Sequence, residues 1–222
     1  MAEESVVRKE AWDVDARLAE LGNGITRQVL KDVVFRATAA YAACTPHHPR
    51  NFAPISRWGN GTAALRDLLV PFSWTCADRN GQPLTVNPSG TLAITLSSAD
   101  EHTGQDGEIQ PRTSIKGSVT VEAVERNGFL FADMEADAEA KARAEAEFVK
   151  STWFLLMYTN LVTGQVQAEL SHPTQTDDER RVIKWSERLL LDPTDFDVTP
   201  LTNTGYEGPD DGDITIEFMR RA

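Results

Sequence analysis

The sequence predicts an α+β fold in three parts. N-terminal helices with a small antiparallel sheet occupy residues 1–131, an exposed linking helix spans 132–150, and an antiparallel β-meander with a loose acidic tail fills 151–222. Three observations predict this. Apolar residues near the N-terminus recur every three or four positions, as in an amphipathic helix. Short strand-like runs are separated by Asn-Gly and Asn-Pro-Ser-Gly turn signals. An Ala- and Glu-rich segment between these regions favours a helix. The three parts are also compatible with one continuous domain.

Two helices are predicted first. Residues 1–22 carry an apolar stripe at helical spacing and end at a glycine-rich break. Residues 26–43 predict a stronger helix, and Pro46 stops it because proline cannot continue the helical hydrogen-bond ladder. The stretch 47–62 contains prolines and glycines and is predicted to be irregular, with a short helix over 63–69 after it.

Strands are predicted on both sides of a long loop and a helix. Residues 72–76 and 84–86 flank an Asn-Gly turn, and 92–96 follows a second turn, so these runs predict an antiparallel meander. After the loop, residues 118–126 predict a helix that ends at an Asn-Gly pair.

The C-terminal part is rich in strand signals. Residues 153–158, 165–171 and 182–191 predict a second, three-stranded antiparallel meander. Apolar and polar residues alternate in the second of these runs, so one face of that strand is expected to contact water. Trp153 and Trp185 lie within predicted strands and are expected in the core.

The 100–117 loop is the best candidate for a ligand site, because a long loop inside a compact chain is usually functional or disordered. Asp100 and Glu101 could hold a divalent cation or supply a general base. Arg112 and Lys116 could bind an anion, since Lys116 precedes a predicted helix start. The alternatives are a solvated acidic loop and an ordinary helix cap.

A second candidate site is the pair Arg57 and Trp58. An exposed loop tryptophan beside an arginine is the composition of an interaction hot spot, although a buried tryptophan would also fit the sequence.

Recognised chemical motifs are missing from the sequence. It contains no G-x-S-x-G elbow, no G-x-G-x-x-G turn after a strand and no phosphate-binding loop. Cys44, His47 and His48 bring a thiol and two imidazoles close together, but a structural zinc site needs a fourth ligand at suitable spacing. We therefore assign no catalytic residue, no metal and no cofactor from the sequence.

The charge disfavours direct nucleic-acid binding. The net charge is −12, and the stretch 192–217 contains acidic residues but no Lys or Arg. Affinity for nucleic acids comes largely from Lys and Arg that neutralise phosphates. No apolar run is long enough to cross a membrane, and the charged N-terminus has no secretory pattern. We therefore expect a cytoplasmic protein with a protein partner, and the sequence leaves its oligomeric state open.

Two stretches carry a resemblance. One is the pattern N-P-S-G…A-I-T-L…T-G…P-R-T…K-G between residues 87 and 117, and the other is W-F-L-L-M-Y…A-E-L-S-H-P…W-S-E-R-L-L-L between 153 and 191. Together they resemble uncharacterised cytoplasmic proteins carried by bacterial phages, plasmids and integrated mobile elements. The resemblance implies an accessory protein of a mobile element and transfers no catalytic residue.

Three functions follow as hypotheses. The first is a non-enzymatic binding or accessory protein of a bacterial mobile element that acts by protein–protein contact. The second is an enzyme that binds a nucleotide or phosphate ligand through the 100–117 loop. The third is an acidic DNA mimic that blocks a DNA-binding protein, for which ordinary solubilising charge is the simpler explanation.

Overall fold

The computed structural model describes residues 5–79, 81–131, 151–160 and 163–192. Its elements in chain order are β1 (Val6–Arg8), α1 (Ala11–Leu21), α2 (Arg27–Ala42), α3 (Phe52–Leu69), a 3₁₀ turn (Val70–Phe72), β2 (Thr75–Arg79), β3 (Gln82–Val86), β4 (Leu92–Ser98), α4 (Ser118–Phe131), β5 (Ser151–Thr159), β6 (Val166–Thr176) and β7 (Val182–Leu191). The protein is therefore α+β, as predicted.

All seven described strands form one sheet in the order β1-β7-β6-β5-β4-β3-β2. Most neighbouring strands are antiparallel, but β4 pairs parallel with β5 and β1 pairs parallel with β7. The sequence predicted antiparallel strands, and these two parallel pairs depart from that prediction. The parallel β4–β5 pair joins the two predicted strand groups, and such a pair requires a crossover connection, which includes α4.

One face of the sheet packs against α1, α2 and α3. Val14 and Leu18 of α1 and Leu30 of α2 are fully buried against side chains of the strands. The strand side chains of this core alternate along β5, where Trp153, Leu155 and Met157 face the helices. We call this side of the sheet the helical face.

The opposite face is covered by α4 and the 100–117 loop. Val124 of α4 packs with Phe154 and Leu156, the alternate residues of β5, and with Trp185 of β7. We call this side the loop face. Trp153 and Trp185 are both buried, as predicted, but they lie on opposite faces of the sheet.

Helix α3 contradicts the prediction that residues 47–62 are irregular. Pro54 lies in the first turn of α3, where the missing N–H would have had no helical partner. Gly61 lies where α3 crosses α2 and approaches β4: a Cβ there would be 2.5 Å from Leu96 Cδ2 and 3.0 Å from Ala37 Cβ. These residues suit a closely packed helix rather than a loop.

The predicted boundaries were wrong at two other helices. Residues 6–8, expected in the first helix, form β1, and Arg8 Nε donates a hydrogen bond of 2.7 Å to Glu187 of the neighbouring strand. Helix α4 continues through the Asn-Gly pair that was predicted to end it. Asn127 is buried and its amide donates to the carbonyls of Thr152 and Pro173, so it packs α4 onto the sheet.

Two predicted segments, the linking helix 132–150 and the acidic tail from residue 193, lie outside the described residues. Among the helices described, none is both long and apolar enough to span a membrane.

Candidate functional site

The 100–117 loop follows β4 and lies on the loop face of the sheet. Backbone and side-chain hydrogen bonds fasten it to β7. The backbone N–H of Thr113 donates to the carbonyl of Val182 (3.1 Å), and the N–H of Val182 donates to Thr113 Oγ1 (3.0 Å). The indole N–H of Trp185 donates to the carbonyl of Pro111 (2.8 Å). The loop is therefore built into the fold and is not merely a solvated segment.

Asp100 organises the loop from its first turn. Its Oδ1 accepts the backbone N–H of His102 (3.2 Å), and its Oδ2 accepts the backbone N–H of Arg112 across the loop (3.1 Å). Burial raises the pKa of Asp100, although both N–H donors oppose this shift. The structure thus brings Asp100 to the backbone of Arg112, in an arrangement that closes the loop.

The other loop candidates have separate partners. Glu101 is largely exposed, and its carboxylate lies 4.0 Å from His102 Nε2. Lys116 is buried, its ammonium donates to Ser114 Oγ (3.0 Å), and its backbone N–H donates to the carbonyl of Arg180 (2.9 Å). The contacts of Glu101 and Lys116 therefore lie at opposite ends of the loop.

Arg112 reaches the turn between β6 and β7. Its guanidinium forms an ion pair with Asp177 and approaches Glu179 Oε2 at 3.4 Å. Although desolvation raises the pKa of Asp177, the backbone N–H of Arg181 and the Arg112 guanidinium lower it more. The position of Arg112 therefore depends on acidic side chains, which compete with any anionic ligand.

Beneath the loop lies an ion pair that the sequence did not predict. Glu169 of β6 and Arg188 of β7 are both fully buried on the loop face. Arg188 Nε donates to Glu169 Oε1 at 2.9 Å and Nη2 donates to Oε2 at 2.6 Å. Ser171 Oγ also donates to Glu169 Oε1, at 2.6 Å. Charged groups are rarely buried unless they are paired in this way.

The loop itself completes the surroundings of this ion pair. The backbone N–H of Gly104 donates to Glu169 Oε2 (2.7 Å), and the carbonyl of Gln105 accepts from Arg188 Nη2 (3.1 Å). Gly104 has φ +71°, and a Cβ there would lie 3.3 Å from the carbonyl oxygen of Ala168. Alternation along β6 had placed the polar residues in water, but the loop covers them. The sequence did offer one signal for this ion pair, because Glu169 and Arg188 carry opposite charges and lie in two strands that were predicted to be neighbours.

Arg57 lies in the interior of the protein, whereas the neighbouring Trp58 lies at the surface. Arg57 is 5% exposed, and its guanidinium lies 4.1 Å from the ring centroid of Tyr41. Trp58 is 37% exposed. Of the two predicted interaction residues, Trp58 is thus the one that presents surface to solvent.

Exposed aromatic side chains extend beyond Trp58. We define the surface aromatics as the exposed aromatic residues of α1, α2, α3 and the 3₁₀ turn: Trp12, Phe35, Phe52, Trp58 and Phe72. Trp12 is 73% exposed and Phe35 is 59% exposed. Trp12 lies two residues before the buried Val14, so helical geometry turns it away from the sheet. A tryptophan within a predicted helix carries no sequence signal of exposure, so Trp12 was not predicted as an interaction residue.

Charge is unevenly distributed along the chain. Basic and acidic side chains nearly balance within the described residues, so the net charge of −12 comes mainly from 132–150 and from residues beyond 192. Within the described ranges, no group of three or more His, Cys, Asp or Glu side chains is arranged to hold a metal ion.

No protein-family model, no curated protein and no solved structure matches this chain.

Proposed function

We propose that this protein is a binding or accessory protein of a bacterial mobile element, and that it acts by protein–protein contact through its surface aromatics. The observation that carries the proposal is Trp12, which is 73% exposed on a well-formed helix. Tryptophan is enriched at the centres of protein interfaces, where its large apolar surface is removed from water.

The energetic argument concerns what the fold gains from Trp12. The buried face of α1 consists of Val14, Leu18 and Leu21, so the fold does not need an aromatic residue at position 12. Burial of the exposed indole by a partner would contribute about 3 kcal/mol, from the apolar area of one aromatic side chain. A partner that covers Trp12 would therefore bind about 100-fold more weakly after truncation of this side chain.

A capture experiment with matched variants tests the proposal. Immobilised wild-type protein, Trp12→Ala, Trp58→Ala and the surface control Ala16→Ser are exposed to a lysate of the bacterium that carries the gene. We expect a protein that is retained by wild type and Ala16→Ser and is strongly depleted on Trp12→Ala. Affinity is then measured with the purified partner. Equal affinity for wild type and both tryptophan variants would contradict the proposal.

The nucleotide- or phosphate-binding hypothesis for the 100–117 loop makes a different prediction. A ligand at a hundredfold excess over its dissociation constant stabilises the folded state by about 2.7 kcal/mol. Thermal unfolding is measured with nucleotides, pyrophosphate and Mg²⁺ for wild type, Lys116→Ala and the exposed control Lys9→Ala. Stabilisation that Lys116→Ala removes and Lys9→Ala retains would support this hypothesis over protein binding.

The DNA-mimic hypothesis depends on the acid-rich sequences of residues 132–150 and beyond residue 192. A mimic competes with DNA for a basic partner, and its binding weakens steeply with salt. Competition for the captured partner between this protein and duplex DNA, at two salt concentrations, distinguishes mimicry from contact through the surface aromatics. Salt-sensitive binding of the protein itself to DNA in a gel shift would contradict both the DNA-mimic hypothesis and the expectation that the protein does not bind nucleic acid directly.

A further inference from the structure

Three polar side chains meet on the helical face of the sheet, where β5, β6 and β7 lie side by side. Ser151 Oγ lies 3.0 Å from Nε2 of His172, and Ser186 Oγ lies 2.7 Å from Nδ1 of the same imidazole. Each ring nitrogen of a buried histidine thus contacts a serine hydroxyl. None of these residues belongs to the 100–117 loop or to the surface aromatics.

A β-bulge brings Ser186 into this arrangement. His172 pairs with Glu187 and Pro173 pairs with Trp185, so Ser186 is an extra residue between the two pairs. Strict alternation would place Ser186 on the face opposite Glu187, whereas a bulge allows two successive side chains to project to one face. Bulges that redirect a side chain in this way are over-represented next to active sites.

The two serine contacts of His172 fit either tautomer, and the tautomer with its proton on Nδ1 is the one that suits a general base. In that tautomer the oxygen of Ser186 accepts the N–H at Nδ1 (2.7 Å), and its hydroxyl can turn to the backbone carbonyl of His172, 3.5 Å away. Nε2 is then unprotonated and accepts the hydroxyl proton of Ser151. This is the arrangement of a serine nucleophile, a histidine base and a third group that orients the base.

The surroundings hold the imidazole in place and keep it neutral. His172 is 2% exposed, and the Trp153 ring lies against it with a centroid distance of 5.1 Å. Burial, together with the charge of Arg17 on α1, lowers the pKa of His172 to about 4. Arg17 is itself held by Glu187 of β7 through hydrogen bonds of 2.9 and 3.0 Å. Ser151 is half-buried and so keeps contact with solvent.

We propose that Ser151 is a nucleophilic serine that accepts acyl groups from activated carboxylic esters, with His172 as its general base and Ser186 as the residue that positions the base. This activity goes beyond the proposed binding function and does not depend on it.

The reaction proceeds in two steps, acylation of Ser151 and hydrolysis of the acyl-serine. Ser151 Oγ attacks the acyl carbon, its proton passes to His172 Nε2, and the departing alcohol takes that proton as its bond to the acyl carbon breaks. Water then attacks the acyl carbon and gives a proton to Nε2. Ser151 Oγ recovers that proton as the carboxylic acid is released. Because the imidazole is a weak base, both steps are slow. With an activated ester the good leaving group makes the first step faster than the hydrolysis, so the acyl-serine accumulates.

The test uses the full-length protein and p-nitrophenyl acetate. Acetylation of Ser151 is followed by peptide mass spectrometry in native protein and in protein unfolded with urea. A positioned general base accelerates such a step by about 100-fold or more, so we expect native Ser151 to be acetylated about 100-fold faster than in the unfolded chain. Equal rates in the two states would overturn the proposal.

Two variants separate activation from simple exposure. Ser186→Ala removes the acceptor for Nδ1–H, so the proton is expected to move to Nε2 and acetylation of Ser151 to fall at least about tenfold. Nitrogen NMR of the imidazole reports this change of tautomer independently of reactivity. Ser118→Ala removes an exposed serine outside the cluster and leaves the rate unchanged. An unchanged tautomer and an unchanged acetylation rate in folded Ser186→Ala would also overturn the proposal.

The pH profile gives a further readout that a purely structural role would not produce. The pKa of His172, lowered to about 4, keeps Nε2 available as a base throughout neutral pH. The acetylation rate of Ser151, corrected for ester hydrolysis, is therefore expected to be flat between pH 6 and 8. A rise centred near the ordinary histidine pKa of about 6.5 would contradict the assignment of His172 as the base.

Discussion

Loss of Arg188 is expected to destabilise the protein strongly and to release the 100–117 loop. The variant Arg188→Met keeps most of the side-chain volume but removes the charge and every hydrogen bond of the guanidinium. Glu169 then remains fully buried as an uncompensated carboxylate on the loop face. Removal of one partner of a buried ion pair costs about 3–5 kcal/mol.

The hydrogen bonds of Arg188 support the same magnitude. Its guanidinium donates two bonds to Glu169, of 2.9 and 2.6 Å, and a further one of 3.1 Å to the carbonyl of Gln105. Hydrogen bonds to a charged group contribute about 1.5–3 kcal/mol each. These contributions are not additive within one network, so the buried-pair range applies. Urea unfolding of Arg188→Met should show a free energy of unfolding lower by about 4 kcal/mol, the middle of that range.

Hydrogen exchange locates the effect within the loop. The amide N–H of Gly104 donates to Glu169, and the carbonyl of Gln105 accepts from Arg188, so this part of the loop loses its anchor when the pair is broken. We expect the exchange rate of the Gly104 amide to increase in Arg188→Met by more than the lower free energy of global unfolding would produce. Such excess exchange indicates local opening.

An exposed ion pair on the same loop provides the control. Lys9 Nζ lies 2.6 Å from Asp106, and both side chains are exposed. Exposed pairs contribute little because water screens them, so Lys9→Met is expected to change neither unfolding nor exchange measurably. The double variant Glu169→Leu with Arg188→Met should be more stable than Arg188→Met alone, because no buried charge remains. A loss of less than about 1 kcal/mol in Arg188→Met, against the range for buried pairs, would refute the reasoning.

Three further predictions concern other parts of the fold. The pKa of His172 falls from 6.5 in the unfolded chain to about 4 in the folded state, so protons bind preferentially to the unfolded state and stability is lost as pH falls from about 6.5 to 4. The loss is about 3 kcal/mol by linkage, and urea unfolding of His172→Gln across this range should lack it. Gly61→Ala places a Cβ 2.5 Å from Leu96 Cδ2 and should destabilise by about 1–3 kcal/mol, whereas a Cβ at Gly59 meets open space and Gly59→Ala should stabilise α3 by about 0.5–1 kcal/mol. Asn127→Ala leaves the buried backbone N–H of Thr152 without its acceptor and should cost about 1–3 kcal/mol in thermal or urea unfolding.

Each of these predictions has a result that would contradict it. A pH dependence in His172→Gln equal to that of wild type would assign the acid sensitivity to other groups. Equal effects of Gly61→Ala and Gly59→Ala on the free energy of unfolding would mean that the crossing of α3 and α2 does not require glycine at position 61. An Asn127→Ala protein as stable as wild type would show that α4 packs onto the sheet without the amide.

The candidate loop shows how far the sequence could be interpreted. Its length and composition identified residues 100–117 as a distinct feature, and the structure describes the loop on the loop face. The role of Asp100 as an acceptor for Arg112 N–H could not be predicted, because the two residues meet only when the loop closes. The cluster of Ser151, His172 and Ser186 could not be predicted from the sequence either, because a β-bulge changes the alternation of side chains along β7.

Local patterns determined the elements whose geometry is local. The apolar spacing of α1 and α2 follows from 3.6 residues per turn, and strand-like runs identified the central parts of β3 to β7 without reference to their partners. The same information placed Trp153 and Trp185 in the core. It failed at α3, because packing around Gly61 outweighs the low helix propensity of glycine.

Only the tertiary structure decided which strands are neighbours and what covers each face of the sheet. The parallel pairing of β4 with β5 joins residues that are far apart in the chain, and no local pattern specifies such a partner. Alternation along β6 showed that Glu169 faces away from Leu170, but a polar face can meet either water or another polar group. Arg188 and the 100–117 loop cover it here, because a buried carboxylate must be paired with a charge and with hydrogen-bond donors.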